Sequence, residues 1–256
     1  MATALVTGAS SGLGEEFARQ LAKQKYDLIL VARREDRLKA VADEASRLGA
    51  AKVKVIAADL TGHESAAALH RQVTGAGIEV GYLVNNAGFG TRGRFDNLPL
   101  EREIEEIGLN VTALVTLTRL FLPPMVAKKS GTIINVSSVG GFSPVPFMAT
   151  YGATKAFVLS FSEALAEELK DAGVTVMALC PGATRTEFQK VANVDAEKMP
   201  SFAFMSAETV VAQAIAAAKR GKSVYVNGPI NKMMTETIRI TPRKLVAKIA
   251  GAMFKE

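Results

Sequence analysis

Short apolar runs alternate with longer segments of helical periodicity along the whole chain. Seven of the runs have the length and composition of buried strands, and helical patterns separate them. Such an alternation favours a parallel sheet with helices on both faces. We therefore predict one doubly wound α/β domain over residues 1–256. The predicted strands are residues 4–6, 26–32, 53–57, 80–84, 131–136, 174–180 and 223–226.

Composition narrows the function classes. A hydrophobic fraction of 48% in 256 residues allows one large core. The single cysteine, Cys180, excludes an internal disulfide, and its apolar run predicts an inert buried thiol. His63 and His70 are the only histidines, so we predict no metal site. The net charge of +6 comes from scattered basic residues without tryptophan, which predicts no nucleic-acid partner.

The start of the chain and its apolar runs bear on location. The first predicted strand begins within a few residues of Met1, without a basic and apolar leader. No stretch approaches about 18 uninterrupted apolar residues, which argues against a membrane span. We expect a cytoplasmic protein.

A glycine-rich turn joins the first strand to the first helix. Its glycines are Gly8, Gly12 and Gly14, in the sequence TGASSGLG over residues 7–14. Such a turn gathers free backbone N–H groups at the positive end of a helix dipole, which suits a pyrophosphate. The spacing differs from the G-x-G-x-x-G dinucleotide fingerprint, and taken alone the turn could serve only close packing.

Charged residues follow the second and third strands. Arg33 comes directly after the second strand, where a cation suits the 2′-phosphate of NADP; the alternative is a plain surface charge. We place Glu35 and Asp36 in the first turn of the next helix. Asp59 at the end of the third strand could accept from an adenine amino group or cap the following helix.

Polar residues also follow the later strands. Residues 85–88, with the sequence NNAG, follow the fourth strand. They could form an ordinary turn, or their amide groups could lie beside a cofactor. Ser138 follows the fifth strand. Asn110 interrupts a largely apolar helical pattern, which predicts a partner for its amide. Tyr151 and Lys155 are four residues apart, on one face of a predicted helix.

The Tyr151–Lys155 pair has a chemical use. A tyrosine with a pKa near the usual value of about 10 is a poor acid–base catalyst at neutral pH, and a nearby ammonium would lower that pKa. Ser138 could donate to the same substrate oxygen. Each residue alone is more typical of surface packing or of a turn, whereas the combination is specific.

Together these residues resemble the short-chain dehydrogenase/reductase family over nearly the whole chain. The resemblance implies a seven-stranded parallel sheet of order 3-2-1-4-5-6-7, and T-G-x-x-x-G-x-G is this family's form of the glycine turn. The matching pieces are residues 7–14, Asp59, residues 85–88, Asn110, Ser138, residues 151–155 and the Pro181-Gly182 turn.

The resemblance also implies roles for the site residues. Tyr151 would be the general acid or base, Lys155 would bind the nicotinamide ribose and lower the tyrosine pKa, and Ser138 would orient the substrate oxygen. Asn110 would hold a water that links Lys155 to solvent. The implied cofactor contacts are Gly8, Ser10, Ser11, Gly12, Leu13, Gly14, Arg33, Asp59, Asn86, Ala87, Gly88, Tyr151, Lys155, Pro181, Gly182, Thr184 and Thr186. Ser10, Ser11 and Arg33 resemble the NADP-preferring members.

Two C-terminal segments bear on substrate and partners. Residues 183–206 lack periodicity but are rich in apolar side chains, which predicts a substrate loop and an apolar carbonyl or alcohol substrate, unless the side chains only pack. The extension over residues 231–256 contains a basic amphipathic pattern at Leu245, Ile249 and Met253. We expect it to contact a second subunit in a homodimer or homotetramer, with contact to a membrane surface as the alternative.

These observations support an NADP(H)-dependent oxidoreductase that interconverts a carbonyl and an alcohol. NAD is the less favoured cofactor. The alternative from another class is a regulatory or scaffold protein that binds NADP without turnover.

Overall fold

The computed structural model describes residues 2–188, 192 and 204–254, apart from the side chains of residues 253 and 254. Seven parallel strands form one sheet of order β3-β2-β1-β4-β5-β6-β7, which confirms the predicted fold and strand order. The strands are β1 Thr3–Thr7, β2 Asp27–Ala32, β3 Val53–Ala57, β4 Val80–Asn85, β5 Gly131–Val136, β6 Val174–Cys180 and β7 Val224–Val226.

Helices cover both faces of the sheet in the described part of the chain. Three 3-10 turns lie at Phe95–Asn97, Val139–Phe142 and Lys170–Ala172. A π-helical segment at Gly108–Ala113 divides the apolar pattern predicted as one helix over residues 98–127. The α-helices are α1 Gly12–Lys23, α2 Glu35–Leu48, α3 Ser65–Gly75, α4 Leu100–Ile107, α5 Leu114–Ala127, α6 Ala149–Glu168, α7 Ala207–Lys219, α8 Pro229–Ile240 and α9 Arg243–Phe254.

The core lies in two layers, one on each side of the sheet. Along β1, Val6 packs into the layer formed with α1, α2 and α7, whereas Leu5 packs into the layer formed with α3 and α5. Because the strands are buried on both faces, their sequences are nearly continuous apolar runs.

The strand order determines where a ligand can bind. The chain winds from β1 outward to β3, then returns to β4 beside β1 and winds the other way. A crevice opens at such a switch point, outside the carboxyl ends of the strands. The glycine turn after β1, residues 85–88 after β4 and Ser138 after β5 all lie at these ends.

The two C-terminal predictions have different outcomes. The extension is built of two helices, α8 and α9, in which Val246 is buried while Leu245 and Ile249 are exposed. Most of the predicted substrate loop, at residues 189–191 and 193–203, lies outside the described residues.

Candidate active site

The glycine turn forms a cradle in which side chains would not fit. Gly8 and Gly12 have φ angles of +65° and +60°, in the left-handed region that favours glycine. A Cβ atom added at Gly14 would lie 2.2 Å from the Gly8 carbonyl oxygen. α1 begins at Gly12, so its first N–H groups lie in this turn. The close backbone approach and the free donors fit a pyrophosphate.

Asparagine and threonine side chains tie the cradle to β4. The hydroxyl of Thr7 accepts from the backbone N–H groups of Asn86 and Ala87, each at 3.0 Å. Asn86 donates its side-chain amide to the Thr7 carbonyl oxygen at 2.9 Å. Asn85 instead turns into the protein, where its amide bonds to Asn135 at 2.9 Å. Thr7 therefore braces the cradle, a role that its place in the motif did not reveal.

Two arginines follow β2, and they have different partners. Arg33 lies 3.9 Å from Asp59, between the ends of β2 and β3. Arg34 donates to the Ser10 hydroxyl in the glycine turn at 3.3 Å and to Glu187 at 2.8 Å. Sequence reasoning named Arg33 and overlooked Arg34, although both are adjacent to the strand end.

Asp59 does not cap the following helix. Its carboxylate accepts from the backbone N–H and hydroxyl of Thr61, at 3.0 and 2.9 Å, and α3 begins only at Ser65. These hydrogen bonds and the Arg33 guanidinium outweigh partial burial and lower the pKa of Asp59.

The chain after β6 lies over the glycine turn. A Cβ atom at Gly12 would approach the Thr186 side chain to 3.1 Å. Arg34 and, to a smaller extent, the Ser11 hydroxyl lower the pKa of Glu187. Thr184 donates to the Gly182 carbonyl oxygen at 3.1 Å. The residues predicted after Pro181 thus lie beside the glycine turn.

Ser138 and Tyr151 meet at the end of β5. Ser138 precedes the 3-10 turn, where its hydroxyl accepts from the Gly140 N–H at 3.0 Å. A Cβ atom added at Gly140 would lie 3.5 Å from the Ser138 hydroxyl oxygen and 3.8 Å from a ring carbon of Tyr151, so the two side chains border the same space. Burial raises the pKa of Tyr151 to about 12, while the nearby Ser138 hydroxyl opposes this effect. The expectation that Lys155 lowers this pKa stays a prediction, since burial dominates here and the Lys155 ammonium donates to the Val136 carbonyl oxygen.

Lys155 is anchored inside the protein. Its ammonium donates to the Val136 carbonyl oxygen at 2.8 Å and lies 5.7 Å from the Tyr151 ring centroid. Burial lowers the pKa of Lys155 to about 8, and the Glu106 carboxylate opposes this. The Ser137 hydroxyl donates to the Lys155 carbonyl oxygen at 2.7 Å, which fixes α6 against β5.

Asn110 lies in the π-helical segment and is fully engaged. Its amide donates to the Phe89 carbonyl oxygen at 2.9 Å and to Thr154 at 3.1 Å, and its oxygen accepts from the Phe89 N–H at 3.2 Å. A Cβ atom at Gly88 would lie 2.7 Å from this oxygen and 3.4 Å from the Lys155 nitrogen. Asn110 therefore sits beside Lys155, and π-bulges are frequent at functional sites.

Two buried glutamates near this group were not predicted. Glu103 and Glu106 on α4 share the hydroxyl of Thr91, and Glu103 also accepts from Thr150. Charged residues on a short acidic helix normally face solvent, so the sequence carries no signal of their burial.

A mostly apolar cavity of about 310 Å³ lies between residues 93–98 and residues 146–149. Residues 93–98 form one wall of the cavity, and residues 146–149 at the start of α6 form the other. The two walls are joined where the Gly93 N–H donates to the Phe147 carbonyl oxygen at 2.9 Å. The Phe188 ring centroid lies 5.3 Å from that of Tyr151. The cavity is lined by Gly93, Arg94, Phe95, Asp96, Leu98, Pro146, Phe147 and Ala149.

A sequence-family model described as short chain dehydrogenase matches residues 2–197. The chain belongs to the short-chain dehydrogenase/reductase family. It is therefore an oxidoreductase that acts on carbonyl or hydroxyl groups. A relative named very-long-chain 3-oxoacyl-CoA reductase, from Bos taurus, is 35% identical over 252 residues, which cover 96% of this chain and 78% of the relative.

Solved structures of family members superpose closely on this chain. A short-chain dehydrogenase from Sphingobium yanoikuyae in complex with NADPH has a TM-score of 0.83 and 34% identity, over 95% of this chain and 97% of the other. A bulky-bulky ketone specific alcohol dehydrogenase from Comamonas testosteroni has a TM-score of 0.80 and 31% identity, over 93% and 92%.

The comparisons correct the expected location. The prediction of a cytoplasmic protein is wrong. The bovine relative is named for a very-long-chain 3-oxoacyl-CoA. Each CH₂ group of such an acyl chain contributes about 0.8 kcal/mol to the free energy of transfer into a membrane. By length and composition, the helical segment Leu100–Ala127 could also cross a membrane. Part of it packs in the protein core, where Leu117, Phe121 and Met125 are buried.

Proposed function

We propose that this protein is an NADPH-dependent reductase of ketones that carry a long or bulky apolar group. The observation that carries the proposal is that the side chains of Ser138 and Tyr151 border the same space at Gly140, beside the buried ammonium of Lys155. Acid, oxygen-binding hydroxyl and cation thus meet at the carboxyl end of β5. We take 3-oxoacyl thioesters as the first substrate class to test.

Each of these side chains has a defined task in ketone reduction. The Ser138 hydroxyl donates to the carbonyl oxygen and holds it beside Tyr151. Tyr151 gives its hydroxyl proton to the same oxygen as negative charge develops there. The Lys155 ammonium stabilises the resulting phenolate. The bound nicotinamide cofactor supplies the hydride.

The residues around the crevice suit NADP. The cradle formed by Gly8, Gly12 and Gly14 would hold the pyrophosphate, and Lys155 would hold the nicotinamide ribose. Arg34, which already bonds to Ser10, and the exposed Arg33 supply cations for a 2′-phosphate. The Sphingobium yanoikuyae structure in complex with NADPH supports this assignment.

The surroundings of Tyr151 suit an apolar substrate. Phe188 contacts the Tyr151 ring. The cavity between residues 93–98 and 146–149, which precedes Tyr151 in the chain and is not lined by it, is mostly apolar. The names of the bovine and Comamonas testosteroni relatives support a ketone with a long or bulky group. Substrate burial there would exclude water from the reacting carbonyl.

An apolar surface on α4 supports a homo-oligomer. Leu100, Ile104 and Ile107 are 67%, 60% and 42% exposed at helical spacing, and the half-exposed Phe157 on α6 stacks on Phe161. We propose that this face contacts a second copy. Ile104→Asp should then lower the mass measured by light scattering, and an unchanged mass would contradict the contact.

The exposed Leu245 and Ile249 on α9, among basic residues, are the candidate membrane contact. Replacing both by Glu separates this contact from an oligomer contact. Lost sedimentation with anionic liposomes at unchanged mass would assign α9 to the membrane, and a lower mass would assign it to the oligomer.

A substrate series tests the proposed reaction. We expect kcat/KM with NADPH to rise with acyl length among 3-oxoacyl thioesters, because each added CH₂ buried in the site contributes up to about 0.8 kcal/mol. A value that falls with acyl length would contradict the apolar substrate class. A bulky ketone that carries no coenzyme A serves as the control.

A further inference from the structure

Two carboxylates are buried between α4 and α6. Glu103 and Glu106 are 4% and 0% exposed. The Thr91 N–H donates to Glu106 at 2.9 Å, and the Thr91 hydroxyl lies within hydrogen-bonding distance of both carboxylates. Glu103 also accepts from the Thr150 hydroxyl. These hydrogen bonds do not neutralise the two negative charges, and burial of a charge without a counter-charge is costly. The pair therefore needs a proton or a nearby cation.

Lys155 is a buried cation within electrostatic reach of Glu106. Glu106 lies one helical turn before Asn110, and the Asn110 oxygen and the Lys155 nitrogen both approach Gly88. One Glu106 oxygen has no hydrogen-bond partner among the described residues. The electrostatic attraction is mutual, since Lys155 favours the ionised form of Glu106 and Glu106 favours the ammonium form of Lys155.

We infer that Glu106 is a positioning residue: its carboxylate keeps the buried Lys155 in the ammonium form that stabilises the Tyr151 phenolate. The catalytic relevance of this inference rests on the proposed function. The electrostatic coupling between Glu106 and Lys155 is independent of the proposed function.

Both groups change charge near neutral pH. Burial raises the pKa of Glu106 to about 7, with a smaller contribution from Glu103, while the Thr91 hydrogen bonds and Lys155 oppose it. Burial lowers the pKa of Lys155 to about 8. The other charged or titratable groups on these elements are Glu101, Arg102, Glu103 and Glu105 on α4, Arg92 beside Thr91, and Tyr151, Lys155, Glu163, Glu167 and Glu168 on α6.

A titration of the protein without cofactor tests the coupling directly. The Glu106 carboxyl signal, assigned with Glu106→Gln, is followed by carbon-13 NMR across pH in the parent and in Lys155→Met. Loss of the cation should move the Glu106 midpoint upward by about one pH unit. An unchanged or lower midpoint would overturn the inference.

The pH profile of kcat/KM tests the catalytic consequence. In Glu106→Gln the amide still accepts from Thr91, but Lys155 should lose its proton at lower pH. Loss of the Glu106 charge also makes Tyr151 easier to ionise. Both effects move the alkaline limb to lower pH, by about one unit. A lower rate with an unmoved limb would indicate a purely structural role and overturn the inference.

Glu103→Gln is the matched control. Glu103 is buried on the same helix and contacts the same Thr91, and its charge opposes ionisation of Glu106. Its removal should leave the alkaline limb in place, and an equal shift in both variants would overturn the inference. The NMR titration needs no turnover, so an inactive parent that shows the coupling would contradict the proposed function alone.

Discussion

The Arg34 guanidinium donates to the Glu187 carboxylate at 2.8 Å, which ties the chain after β2 to the chain after β6. Because Arg34 also reaches Ser10, we expect Arg34→Ala to lower kcat/KM with NADPH by about tenfold and to leave the value with NADH nearly unchanged. Arg33 pairs with Asp59, so Arg33→Ala should lower kcat/KM with NADPH by less than Arg34→Ala does. A parent that prefers NADH, or a larger loss in Arg33→Ala, would contradict this assignment.

Glu187 pairs with Arg34, the cation that we expect to bind the 2′-phosphate of NADP. Arg34 and Arg37 hold the pKa of Glu187 below its usual range, so the carboxylate is ionised at neutral pH. Glu187→Gln should therefore strengthen NADPH binding by about two- to tenfold. Fluorescence titration measures the Kd, with NADH as the control whose affinity should not change. Weaker NADPH binding would show that Glu187 supports the cofactor instead.

Gly14 allows the closest backbone approach in the cradle. In Gly14→Ala the new Cβ atom would meet the Gly8 carbonyl oxygen at 2.2 Å, so we expect a loss of about 1–3 kcal/mol in the free energy of unfolding. Gly75→Ala is the control, since nothing lies within 4 Å of a Cβ atom there. Urea denaturation should show little change for the control, and equal stability of both variants would argue against a tight cradle.

Glu106 makes stability depend on pH. Its pKa is raised from 4.5 in the unfolded chain to about 7, so the folded state binds more protons between these values. The contribution of Glu106 to the free energy of unfolding is therefore fully present below about pH 4.5 and is lost as the pH rises through 7. Glu106→Gln should match the parent at low pH and exceed it above pH 7, by less than the roughly 3 kcal/mol of the whole shift because Lys155 loses its counter-charge. Thermal melts at both ends of this range measure the difference.

Much of the architecture could be predicted from local sequence. Residues 53–57, 131–136 and 174–180 were bounded correctly as strands, because strands buried on both faces are uninterrupted apolar runs. The π-helical segment at 108–113 was not predicted, since a single inserted residue barely disturbs a hydrophobic pattern.

The site was predictable where chemistry and spacing coincide. Tyr151 and Lys155 were recognised because two residues four apart on a helix share a face. Arg34 was overlooked because neighbouring side chains in an extended segment point in different directions, which sequence alone does not resolve. Glu106 was overlooked because its burial depends on tertiary packing against α6.

The central claim is that Tyr151 supplies the proton in NADPH-dependent ketone reduction. NADPH oxidation is measured against 3-oxoacyl thioesters and bulky ketones with the parent, Tyr151→Phe and the control Tyr225→Phe, with NADPH affinity measured in parallel. We predict turnover in the parent and in Tyr225→Phe, and a loss of at least about a hundredfold in Tyr151→Phe with NADPH binding retained. NADPH binding without turnover in the parent, or equal turnover in Tyr151→Phe, would contradict the account.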